Sequence, residues 1–191
     1  MQQSWRKDKD KLTFIACLPR PSSSNEPVKA KIDDAPDRMI GDINLFLVEA
    51  EDDDEGDNEI SANADGSQTQ DVVGEIEIMI ARKHVQRQGY GRAALLTFLW
   101  YILSNLPQIL REYADEGRVP NLEYLRVKIG KENAKSIALF ESVGFVMTGS
   151  GPNYFGEVEL RMEVFADAAA SLDKVESGKG FEKPQVFQYV L

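Results

Sequence analysis

Thiol and imidazole are nearly absent from this chain of 191 residues: Cys17 is its one cysteine and His84 its one histidine. An internal disulfide is therefore excluded, and a conventional zinc site would lack ligands. A histidine-based triad would have to use His84, which lies in a connection and reads as a solvated side chain. Chemistry without a metal is the expectation. Long apolar runs are missing too. The longest, Ala93 to Leu103, includes Thr97 and falls well short of the ~20 residues of a spanning helix, so no membrane association is expected. The opening residues, with Trp5, Arg6, Lys7, Asp8, Lys9 and Asp10, lack the apolar core of a signal peptide, and an intracellular, cytoplasmic location is expected. Basic residues are absent between Glu49 and Asp71, where ten acids stand; without them, 22 acids balance 22 lysines and arginines. The formal charge of −10 thus resides in one block. Its composition predicts a mobile insertion over about 49–71, because it offers too little apolar surface to offset the entropy of ordering. Nucleic acid is not an expected partner for so acidic a chain.

Where the chain is apolar, its periodicity is informative. Strands are predicted over Leu12–Leu18, Met39–Val48, Gly74–Ala81, Leu122–Ile129 and Phe155–Phe165. In the third of these, Glu75, Glu77, Met79 and Ala81 share one face, and Ile76, Ile78 and Ile80 the other. Leu95, Leu99, Ile102 and Leu103 recur at helical spacing over Arg92–Ser104, with a break or kink predicted at Asn105-Leu106-Pro107 before Gln108–Glu116. Asn133 is placed to cap a helix over Ala134–Val143, Gly144 to end it in a left-handed turn, and Phe145 to fold back on its last turn.

Between the strand ending at Ala81 and the long helix lies Gln86-Arg87-Gln88-Gly89-Tyr90-Gly91-Arg92. Glycines at alternate positions permit a tight turn and a close approach to a phosphate, and the amides at a helix start are unpaired donors. The loop reads as a cradle for a pyrophosphate, with Arg87 and Arg92 able to add charge-assisted contacts. A G-x-G tripeptide alone is a weak signal. The second segment, Asn133-Ala134-Lys135-Ser136-Ile137-Ala138-Leu139-Phe140-Glu141-Ser142-Val143-Gly144-Phe145, strengthens it.

Together these segments resemble the GNAT superfamily of acyl-CoA-dependent N-acetyltransferases, the first through Gln86, Gly89 and Gly91 and the second through Asn133, Ser136, Phe140, Gly144 and Phe145. Gly41 to Leu47, Gly74 to Ala81 and Lys128-Ile129-Gly130 are similar to its eukaryotic N-acetyltransferase 9-like branch. The resemblance implies an α+β fold, a mixed and mostly antiparallel sheet flanked by helices. It also implies a domain over 1–165 followed by a C-terminal extension over 166–191. That branch ordinarily opens with a strand and helical segment ahead of the position matching Gln2-Gln3-Ser4-Trp5, so the first strand and most of the first helical pair are expected to be missing.

The same resemblance implies acetyl-CoA as co-substrate and an amine, of a protein or peptide, as acceptor attacking the thioester directly. Met79, Ile80 and Ala81 would pair with the pantetheine arm, the loop Gln86, Arg87, Gln88, Gly89, Tyr90, Gly91 and Arg92 would hold the pyrophosphate, and Asn133, Ser136 and Phe140 would line the cofactor. Glu77, then Glu75, is the expected base, since alternation aims both to one side. Phe140 stands where the family often carries a tyrosine acid; Tyr154, Tyr90 or water would have to replace it. The alternative is a catalytically weak or inactive CoA-binding scaffold. Neither the acceptor nor the oligomeric state is legible.

Overall fold

The computed structural model describes residues 8–20, 26–50, 71–114, 118–164, 168–178 and 180–190; most of the expected acidic insertion lies outside them. Among the described residues eight strands are formed: β1 (Lys11–Cys17), β2 (Val28–Lys29), β3 (Met39–Glu49), β4 (Val72–Ile80), β5 (Leu122–Gly130), β6 (Val146–Thr148), β7 (Glu157–Glu163) and β8 (Tyr189–Val190). The helices are α1 (Tyr90–Ala114), α2 (Ala134–Glu141) and α3 (Ala168–Glu176).

Six strands make one sheet in the order β1-β3-β4-β5-β7-β6. Its pairs are antiparallel except β4 with β5. A parallel neighbour demands a crossover, and α1 is that connection. The sheet is thus mixed and mostly antiparallel, as the resemblance implied.

Alternation decides what each face carries. Ile43, Leu45, Ile76, Leu125, Val127 and Leu160 meet Leu95, Leu99 and Ile102 of α1, Phe140 of α2 and Val175 of α3 in one core. The opposite parity of the same strands puts Asp42, Asn44, Glu75, Glu77, Arg126, Lys128, Glu159 and Arg161 on the other face. All the described α-helices contribute to the apolar side, and the chemistry-bearing side chains stand on the other.

α2 follows its sequence cues. The Asn133 side chain accepts the Ser136 amide at 3.2 Å, Gly144 has φ of 103°, and the Phe145 amide returns to the Phe140 carbonyl at 3.2 Å. The two phenyl rings meet edge to face at 5.1 Å. The predicted interruption at Asn105-Leu106-Pro107 is corrected: α1 runs as one helix of 25 residues with Pro107 inside it. Proline removes one ladder bond, but Leu106 and Leu110 on either side of it are buried, and that anchorage carries the helix through. α1 is consequently long and apolar enough to cross a membrane by length and composition alone. Eight of its apolar side chains are buried within the fold. Strand β6, only three residues long, is absent from the sequence reading, and β7 is shorter than the predicted Phe155–Phe165.

Candidate active site

The parallel pair β4–β5 is short. Its register runs from Val72 opposite Leu122 to Glu75 opposite Arg126 and stops, although β4 continues to Ile80 and β5 to Gly130. Beyond Glu75 the two strands part and leave a split with unpaired backbone edges. Which β4 groups face it follows from the other edge. The Ala81 amide donates to the Ile40 carbonyl of β3 at 2.8 Å, and hydrogen-bonded positions alternate in an antiparallel pair. Residues 81, 79, 77 and 75 therefore turn their backbone groups to β3, whereas 80, 78 and 76 turn theirs to β5. Val72, of the second set, donates to the Asn121 carbonyl at 2.9 Å. Of the three residues expected to pair with a pantetheine arm, Ile80 turns its backbone groups to the split, while those of Met79 and Ala81 turn to β3; Ile78, which only the β3 register identifies, also turns its groups to the split.

The mouth of the split is closed by the glycine loop. Arg87 and Gly89 both have positive φ, 63° and 91°, so the chain reverses tightly before α1. The first helical bond runs from the Ala93 amide to the Gly89 carbonyl at 3.0 Å; the Tyr90 and Gly91 amides precede it and project from the helix start. A Cβ on Gly89 would meet nothing within 4 Å, so the loop leaves open space beside that residue. Two glutamines brace the loop: Gln86 Nε2 donates to the Ile80 carbonyl at 2.7 Å, and Gln88 Nε2 to the His84 carbonyl at 2.8 Å. Gln86 thereby occupies one of the split-facing acceptors, a role distinct from phosphate binding. Arg92 reaches the Ser142 carbonyl at 3.4 Å, tying α1 to the end of α2, while Arg87 is exposed.

Phe140 is 1% exposed and its ring meets Phe145 edge to face, so the structure places it in the core. Asn133 and Ser136 are engaged with each other as the helix cap. Tyr154, 97% exposed, sits between β6 and β7 against Phe155.

The two glutamates share a face, as expected, but not an environment. Glu75 Oε2 lies 2.9 Å from Arg126 Nε and 3.4 Å from Lys128 Nζ. Arg126 in turn approaches Glu159 at 4.0 Å, and Glu159 pairs with Arg161. This ladder runs across β4, β5 and β7 and holds Glu75 as a compensated charge. Glu77, one step nearer the glycine loop, has no ion pair among the described residues. Its side chain is exposed, yet partial desolvation, then the Glu75 and Asp42 carboxylates, raises its pKa above a glutamate's ordinary value. A carboxylate that holds a proton more tightly is a better base toward an amine. Beside the ladder, Lys128, Thr148, Gly149, Gly151, Asn153, Glu157, Glu159 and Arg161 line a polar hollow of about 420 Å³. Arg126 and the hollow escape a one-dimensional reading, because only strand order brings β4, β5, β7 and β6 side by side.

The site therefore offers a helix start that follows open space at Gly89, a β4 edge that pairs with β5 no farther than Glu75 among the described residues, and at Glu77 a carboxylate without an ion pair among them. Comparison with known proteins agrees with that geometry. Residues 2–146 match the family described as acetyltransferase (GNAT) domain. The N-acetyltransferase 9-like protein of Schizosaccharomyces pombe is 36% identical over 175 residues, spanning 85% of this chain and 74% of that protein. The alpha/beta-tubulin-N-acetyltransferase 9 of Drosophila melanogaster is 34% identical, spanning 91% and 69%. Among solved structures, a spermidine N-acetyltransferase chimera from Vibrio cholerae and hSSAT superposes with a TM-score of 0.50 at 19% identity, covering 90% of this chain and 77% of that one. At that identity the likeness is one of fold.

Proposed function

The chain belongs to the GNAT acetyltransferase family and transfers an acetyl group to an amine, and we propose that it draws that group from acetyl-CoA held in the β4–β5 split and delivers it to an amine of a protein or peptide. The single observation that carries the donor site is the parting of β4 from β5 directly beneath an open helix start. The fit is physical. A pantetheine arm carries amides that can pair with the Ile78 and Ile80 edges, and a pyrophosphate suits the Tyr90 and Gly91 amides and the space before Gly89. Bound there, acetyl-CoA supplies an activated thioester carbonyl.

The residues of the chain do the rest. Glu77 takes a proton from the arriving ammonium, directly or through water. The neutral amine attacks the carbonyl; the N–C bond forms as the C–S bond breaks, and the amine's second proton ends on the departing sulfur. The Ile78 amide, next to Glu77 and turned into the split, is suited to polarise the carbonyl. A protein or peptide acceptor is supported by the likeness to the Drosophila alpha/beta-tubulin-N-acetyltransferase 9 and by the hollow between Lys128 and the β6–β7 connection.

Calorimetric titration with acetyl-CoA tests the donor site. Wild type binds, and Gly89→Glu, which adds bulk and negative charge before the helix start, loses binding by at least about tenfold. Equal affinity in the two would refute the pyrophosphate assignment.

A further inference from the structure

One polar group on the β3–β4 surface is left without the partner its burial demands. Asn44 is 4% exposed. Its Nδ2 donates to Asp42 Oδ2 at 2.8 Å, which fixes the orientation of the carboxamide, and its Oδ1 is buried and accepts no hydrogen bond among the described residues. Buried acceptors are seldom left so. Register puts Asn44 directly opposite Glu77 and Asp42 opposite Met79, all on the face away from the core. Asp42 and Glu77 have no cation paired with them among the described residues, in contrast to Glu75, whose charge Arg126 and Lys128 compensate. Three oxygen acceptors, two of them anionic, thus stand on the paired strands β3 and β4, and among the described residues the Asn44 amide is the one protein donor bonded to them.

From this arrangement we propose that Asp42, Asn44 and Glu77 form the subsite for the acceptor's primary ammonium, Asn44 Oδ1 being the acceptor that fixes its position before Glu77 removes a proton. A primary ammonium presents three N–H donors around one positive charge, which matches one carbonyl and two carboxylate oxygens; a hydroxyl offers neither the charge nor the donors. The inference rests on the proposed acetyl transfer and adds to it the residues that select an amine. Asp42 and Asn44 lie outside the route of acetyl-CoA, so their loss falls on the acceptor alone.

The test uses the full chain and, as amine probe, a pool of short peptides with free amino termini and lysine side chains. Initial rates are measured against peptide at saturating acetyl-CoA, and acetyl-CoA affinity separately by calorimetry. In Asp42→Asn, which keeps size and a donor–acceptor partner for Asn44, the peptide KM rises about tenfold while acetyl-CoA affinity stays within about twofold of wild type. Asn44→Leu, which removes the orphaned oxygen, raises it similarly. An unchanged peptide KM in Asp42→Asn overturns the subsite and leaves the acetyl transfer standing. Equal losses of peptide and acetyl-CoA binding overturn it too, since they mark a purely structural role. Wild type that binds acetyl-CoA without acetylating any peptide overturns the reading beneath it, and the subsite falls with that reading.

Discussion

Glu75 and Glu77 are chemically the same side chain two positions apart, and what separates them is the neighbouring strand. Glu75 lies opposite Arg126 at the last β4–β5 pair and is held as an ion pair; Glu77 lies past the parting and pairs with no cation among the described residues, Lys128 of β5 being engaged with Glu75. The sign of the pH dependence follows. The raised Glu77 pKa means that its carboxylate forms at higher pH than an ordinary glutamate's, so turnover climbs with pH along a limb displaced upward. Glu77→Gln removes that limb and lowers kcat by about 10²-fold or more. Glu75 is one of the groups that raises the Glu77 pKa, so Glu75→Gln moves the limb to lower pH; a pH–rate profile of both variants reads this directly, and an upward shift would contradict it. Stability has the opposite sense. A group whose folded pKa is raised favours the fold below its unfolded pKa, and that contribution disappears as pH rises through the folded pKa. At neutral pH Glu77→Gln is accordingly expected to be no less stable than wild type while turning over more slowly, as a thermal melt would show.

At the scale of elements, the split depends on β3 as much as on β5. β4 is free to part from β5 because its other edge is fully paired, Gly41 to Glu49 against Ile80 to Val72. Close approach at the site end of that pair requires glycine: a Cβ on Gly41 would overlap the Met79 carbonyl oxygen. Gly41→Ala is therefore expected to destabilise the fold by about 1–3 kcal/mol and to weaken acetyl-CoA binding, since the end of β4 must shift; denaturant unfolding and calorimetry on the same variant check both. Elements were also where the sequence was most readable. Strict alternation in β4, β5 and β7 and the Asn133 and Gly144 signals of α2 are local properties, so they survive without a fold. Pro107 misled because its local preference is outweighed by Leu106 and Leu110, whose burial only the sheet creates. β6 is three residues long and exists only because β7 pairs with it. The site divides on the same line. The glycine loop and the shared face of Glu75 and Glu77 follow from spacing, whereas Arg126, Asn44, the Gln86 brace and the turning of the Ile78 backbone groups to the split all require a neighbouring strand.

Across the whole molecule, the apolar face of one sheet is covered by helices and the polar face bears the reacting groups, so a donor entering along the strand parting and an acceptor approaching the polar face meet at Glu77. The C-terminal part shares in this body: α3 supplies Val175 to the core, Glu176 accepts the Trp100 indole N–H at 3.2 Å, and β8 pairs with β2. Its removal is expected to loosen α1 and with it the loop that begins the helix. The most direct measurement of the central claim is the mass of free-amine peptides after incubation with acetyl-CoA and the chain, run beside Glu77→Gln. The account predicts the gain of one acetyl group per modified amine with wild type and about 10²-fold slower gain with Glu77→Gln. Peptides that keep their mass with wild type, or that are acetylated equally fast by Glu77→Gln, would contradict it.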